Sequence, residues 1–245
     1  HMSALQVRTK MPNRTIAYYA SIIKRMGYDI NKILSNAGIS PITLETRSNS
    51  LSLTQLLAFL SEALIEARIS SLGLEVGKLI TLKDFGILGY AMESTPTLGD
   101  ALHTMGAYHE ITGGIWSPQF EFTPNGTCDL TLDFHISATA YEYFFVEEML
   151  TGLLRLVEQL TQYKDASYKE LHLDYEKPAH AREYYKLFSC PIYFSSDKTR
   201  IVFDRSLIER PCQNRDVETA RECELICKKL LHEMASAEIS LRGKI

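Results

Sequence analysis

Tryptophan occurs once in 245 residues, proline eight times and cysteine five times. An odd, scattered set of cysteines without a secretory leader does not build a disulfide framework, so reduced cytosolic thiols are expected. No apolar run reaches the length of a bilayer-spanning helix, and no membrane partner is expected. Neither sign of charge dominates: 26 Lys+Arg against 30 Asp+Glu leave a formal net charge of −4 and a pI near 6.0. Neutralising nucleic-acid phosphates calls for a clustered basic face, which argues against DNA binding by this chain alone.

Reactive groupings are missing as well. None of the seven histidines stands in a nucleophile-elbow context. Gly73, Gly77, Gly86, Gly89, Gly113 and Gly114 form no phosphate-cradling loop after a strand. Glu147 and Glu148 are adjacent, and helical neighbours point about 100° apart, leaving one to face inward and one outward. Cys223 and Cys227 share a helix face with His232 nearby, but Ile226, Leu230, Leu231 and Met234 around them favour thiols serving as small hydrophobes over metal ligands. No enzyme, metal or cofactor is expected.

What is present is helix-forming pattern. Apolar side chains recur at helical spacing over Arg14 to Met26, Asn31 to Ala37, Ser52 to Arg68 (Leu53, Leu56, Leu57, Leu60, Leu64, Ala67), Leu72 to Leu79, Phe85 to Glu93 and Leu98 to Ile111. Ile39-Ser40-Pro41 reads as a turn, and Ser71 or its neighbour as a cap. The period then changes. Ile115 to Phe122 and Cys128 to Phe134 alternate as strands around the turn Pro124-Asn125-Gly126-Thr127. A long helix over Ala140 to Tyr163 follows, then strands at Glu170 to Asp174, Ile192 to Ser195 and Arg200 to Phe203. Helices over Ala179 to Phe188 and Asp216 to Met234 are interleaved with them. The expected class is α+β, a helix-rich domain with a small, mostly antiparallel sheet covered by helices.

The most informative stretch runs from Asp84 to Leu102. Gly86 and Gly89 allow close helix approach, and Ser94-Thr95-Pro96-Thr97 stops one helix and caps the next, with Asp100 three residues beyond Thr97. It is similar to the regulatory domain of one branch of AraC-type transcription factors, the arabinose-binding-domain-like N-terminal domain of the ornithine-response and VirS kind. Leu72-Gly73-Leu74-Glu75-Val76-Gly77 resembles the family's LGLxxG segment, and Tyr108 follows at the family's distance. Phe188 to Phe194 resembles FGxPVxF, and Leu207 to Pro211 the LxxPL turn. The likeness extends from about Ile16 to Leu231, with Ser189 in place of a usual glycine and Cys212 in place of a usual leucine.

The resemblance implies an effector-sensing, dimerising domain of a cytoplasmic bacterial regulator that reaches DNA through a separate helix-turn-helix half. On this reading residues 1–13 are a tag remnant and flexible N-terminus, 14–235 the regulatory domain, and 236–245 the start of a linker. The other reading is a self-association or protein-interaction domain with no small-molecule effector. For the last helix, packing on its own domain and contact with a second copy or the DNA-binding half both stand.

Candidate ligand-binding residues come from the aromatic inventory, because small-molecule sites are mainly apolar with few orienting polar groups. Tyr90, Tyr108, Trp116, Phe134, His135, Tyr143 and Phe144 are the expected wall of a pocket for an apolar or amphipathic effector. Should that effector carry a carboxylate, Arg155 or His135 is the expected counterpart.

Overall fold

The computed structural model describes residues 10–45, 50–112, 116–134 and 139–244. In chain order the elements are β1 (Lys10–Pro12), α1 (Asn13–Arg25), α2 (Ile30–Asn36), α3 (Pro41–Glu45), β2 (Ser50–Ser52), α4 (Leu53–Ala67) and α5 (Leu72–Gly77). Then come α6 (Ile87–Ser94), α7 (Leu98–Tyr108), β3 (Trp116–Phe122), β4 (Cys128–Phe134), α8 (Thr139–Thr161) and β5 (Glu170–His172). The last are α9 (Ala181–Leu187), β6 (Ile192–Tyr193), β7 (Arg200–Phe203), α10 (Arg205–Ile208) and α11 (Val217–Arg242). The α+β expectation holds. No described helix is long and apolar enough to cross a membrane.

The chain divides into two compact units. Unit 1 takes the chain up to Ile80, Phe134–Arg155 and Pro178–Leu187; unit 2 takes Thr81–Asp133, Leu156–Lys177 and Phe188–Ile245.

In unit 1, β1 and β2 pair antiparallel, Lys10 opposite Ser52. Ser52 also starts α4 through a capping box: its hydroxyl accepts from Gln55 N at 3.1 Å while Gln55 Oε1 accepts from Ser52 N at 2.8 Å. The buried stripe of α4 is Leu56, Phe59, Leu60, Ala63 and Ala67, turned away from the expected Leu53, Leu57 and Leu64. Pro41, expected in a turn, opens α3, since proline's fixed φ and missing N–H suit a first helical turn. The glycines of α5 allow a close crossing. A Cβ on Gly73 would collide with the Phe144 carbonyl, and one on Gly77 with the Thr151 hydroxyl and the Glu148 carbonyl. The contact they permit is the Thr151 hydroxyl donating to the Leu74 carbonyl at 2.8 Å.

Unit 2 holds the five-stranded sheet, ordered β3-β4-β7-β5-β6. Only β5 and β6 are parallel among the pairs with a described register. Leu130, Ile201 and Leu171 lie in register across three strands and are all buried, forming one row of the core. Gly126 turns the β3–β4 hairpin at φ +83. Gly86 adopts φ +55 before α6, and a Cβ on Gly89 would strike the Leu82 carbonyl. Thr97 caps α7 as expected, its hydroxyl accepting from Asp100 N at 3.3 Å. Cys223 and Cys227 are buried on α11, and that helix continues to Arg242 rather than ending at Met234.

Candidate functional site

The chemically loaded part of unit 1 is the middle of α8. Phe144, Phe145, Val146, Met149, Leu150 and Leu153 are all buried there, so the helix is enclosed on more than one side. Two carboxylates sit within that apolar run. Glu147 is fully buried and Glu148 only 9% exposed, which corrects the expectation that one of them faces outward. The angle between neighbours on a helix sends them to different partners rather than one to solvent.

Glu148 meets α1. The Tyr19 hydroxyl donates to Oε2 at 2.6 Å and the Tyr18 hydroxyl to Oε1 at 3.3 Å. Burial pushes the Glu148 carboxyl up to about 7, against the two phenol hydrogen bonds, which pull it down. Burial, then the carboxylate's charge, holds the Tyr19 phenol well above its ordinary range. The aromatic lining is continuous here: the Tyr19 ring lies edge-on to Phe144 at 5.6 Å, and Phe144 edge-on to Phe145 at 5.5 Å.

Glu147 meets α9 and the turn before it. Its Oε1 receives both the Tyr184 hydroxyl, at 2.8 Å, and His180 Nε2 in a short contact. Its Oε2 is buried and has no hydrogen-bond partner among the described residues, and neither has the Thr15 hydroxyl on α1. A buried acceptor without a donor costs about 1–3 kcal/mol, more when charged. Such an oxygen calls for an explanation: stored strain, a functional role, or a bound water or ion that completes it.

Of the sequence-predicted wall, Phe134, Tyr143 and Phe144 belong to unit 1, and Phe144 stands directly against Tyr19. Tyr90, Tyr108 and Trp116 belong to unit 2, and His135 lies outside the described residues. Tyr90 is 60% exposed on α6. Tyr108 is 5% exposed and donates its hydroxyl to Glu224 of α11 at 2.9 Å. Burial, followed by that hydrogen bond, pushes its phenol up to about 12. Sequence reasoning missed Tyr18, Tyr19, Glu147, Glu148, His180 and Tyr184. One signal was available: two glutamates inside Phe-Phe-Val-Glu-Glu-Met-Leu leave no polar face for either to occupy.

Unit 2 also carries an open, polar-walled cleft of about 480 Å³. The Arg210 guanidinium lies 3.4 Å above the Tyr163 ring, and Lys169 Nζ lies 3.8 Å from Asp204 Oδ1. Its cations are thus engaged by the cleft's own ring and carboxylate.

Comparison with known proteins agrees with the motif reading. The model of the arabinose-binding N-terminal domain of AraC transcription regulators matches residues 27–212. The ornithine utilization regulator of Pseudomonas aeruginosa is 24% identical over 212 residues, covering 86% of this chain and 61% of that protein. The crystal structure of the transcriptional regulator CdpR from Pseudomonas aeruginosa shares the fold at a TM-score of 0.59 and 16% identity, over 84% of this chain and 61% of that one. This chain therefore spans less than two thirds of the length of either relative.

Proposed function

The chain belongs to the family of N-terminal arabinose-binding domains of AraC-type transcription regulators, and from that membership we infer that it is the effector-sensing part of a larger, cytoplasmic, DNA-binding regulator. That family is one of regulators and not of enzymes. The observation that carries the effector reading is Glu147 Oε2, a fully buried carboxylate oxygen with no donor among the described residues, on a side chain whose other oxygen is met by Tyr184 and His180. The site consists of Tyr18, Tyr19, Tyr143, Phe144, Glu147, Glu148, His180 and Tyr184. A small molecule seated there acts by binding one arrangement of the domain better than another, and only that difference in affinity passes to the attached DNA-binding half.

The test is native mass spectrometry of the purified chain together with promoter binding by the full-length regulator. A co-purified small molecule whose removal changes promoter affinity supports the reading; promoter binding indifferent to every effector refutes it.

A second reading, self-association without an effector, draws on α11, where Leu225 and Ile226 are exposed. Sedimentation of Leu225→Glu discriminates: a dimer that persists in the variant removes this helix face from the interface.

A further inference from the structure

Glu147 poses a question of accounting. The donors that reach Glu147 and its neighbour Glu148 are already committed. The Tyr184 hydroxyl hydrogen and His180 Nε2 go to Oε1. Thr151 gives its hydrogen to the Leu74 carbonyl, and Tyr18 and Tyr19 give theirs to Glu148. Oε2 therefore keeps its accepting capacity unused among the described residues.

Resting on the effector reading above, we propose that the donor to Oε2 is a protonated amine, so that the effector of this domain is a small aliphatic molecule bearing an ammonium group. A carboxylate taken out of water gains more from a cation than from a neutral hydroxyl or amide, since the charge-assisted bond is shorter and stronger. At the same stretch of α8 the rings of Tyr19 from α1, Phe144 and Phe145 pack edge-on in series, and aromatic rings attract both methylene groups and the fringe of an ammonium. An ammonium carries three hydrogens. The Thr15 hydroxyl, one turn before Tyr19 on α1 and also buried without a partner among the described residues, is a second acceptor in the same unit.

The experiment uses the 245-residue chain and four probes of one carbon-chain length: butylamine, 1,4-diaminobutane, 1-butanol and butyrate. The expected result is a rise in melting temperature with the two amines and none with the alcohol or the acid. In Glu147→Gln the response to amines is lost, with affinity lower by about tenfold to a hundredfold. Amines without effect, an alcohol or acid that stabilises as well as they do, or a Glu147→Gln variant that answers amines like the parent chain each overturn the proposal. If Glu147→Gln does not fold, the comparison of butylamine with 1-butanol on the parent chain decides alone. Native mass spectrometry separates the two levels of inference. A co-purified molecule with no basic nitrogen sinks the amine and leaves the effector reading standing.

Discussion

Tyr19 donates its phenolic hydrogen to Glu148 Oε2 over 2.6 Å, although 129 residues separate the two in sequence. That bond ties α1 to the acidic step of α8, and much of the behaviour expected of unit 1 follows from it. Removing the hydroxyl with Tyr19→Phe leaves a buried carboxylate with the longer Tyr18 bond. The expected loss is about 1–3 kcal/mol of unfolding free energy, measured by urea denaturation. An unchanged midpoint would show that Glu148 finds another donor without cost.

Glu148 also sets a pH dependence. Its carboxyl is raised to about 7 in the folded chain, from an ordinary value of 4.5. Between those values the folded chain keeps a proton that the unfolded chain has released. Its contribution is therefore fully present below the lower value, declines as pH rises, and is exhausted above the upper one. The size is about 3 kcal/mol. Glu148→Gln should flatten this slope in urea titrations run between about pH 5 and about pH 8; parallel slopes for parent and variant would sink the assignment.

Gly77 and Thr151 define how near α5 comes to α8. Gly77→Ala places a methyl group where the Thr151 hydroxyl and Glu148 carbonyl already are. The expected cost is about 1–3 kcal/mol, more if the backbone has to separate. Calorimetry that finds Gly77→Ala as stable as the parent would exclude the close crossing.

Two caps that look alike in sequence should differ when removed. Thr97 accepts from Asp100 N, whereas Ser71 makes no side-chain cap hydrogen bond. Thr97→Ala is expected to cost about 1 kcal/mol and Ser71→Ala close to nothing. Equal losses in thermal unfolding would contradict the distinction.

The thiols offer a check on burial. Cys128, Cys212, Cys223 and Cys227 are buried, and Cys190 is half-buried. Burial pushes Cys128 up to about 12 and Cys190 up to about 11. Since the thiolate is the reactive form, a disulfide reagent at about pH 8 should modify the folded chain roughly a hundredfold more slowly than the unfolded one. Cys190 should react first, as peptide mapping would reveal; prior labelling of Cys128 would contradict the fold.

Much of this architecture is local and so could be read from residue order. Alternation at Cys128 to Phe134 gives a strand, Thr97 with Asp100 gives a cap, and the repeat in α1 gives its buried face of Ile16, Tyr19, Ile22 and Ile23. Each depends on neighbours a few positions away, within reach of one turn or one pleat. The close approach of Gly73 and Gly77 to α8, by contrast, emerged only in the structure, since in sequence the two glycines read simply as part of the LGLxxG segment.

The tertiary structure alone decided the partners. Glu147 takes Tyr184 from 37 residues away and Glu148 takes Tyr19 from 129. Whether an acidic side chain faces water or a phenol depends on which distant helix covers it, and no local period encodes that. The same reason explains why Tyr108, one more aromatic candidate in sequence, proves tied to Glu224, 116 residues further along the chain. Residue order fixed which faces must be covered; long-range packing chose what covers them, and in doing so buried Glu147 Oε2 without a donor among the described residues.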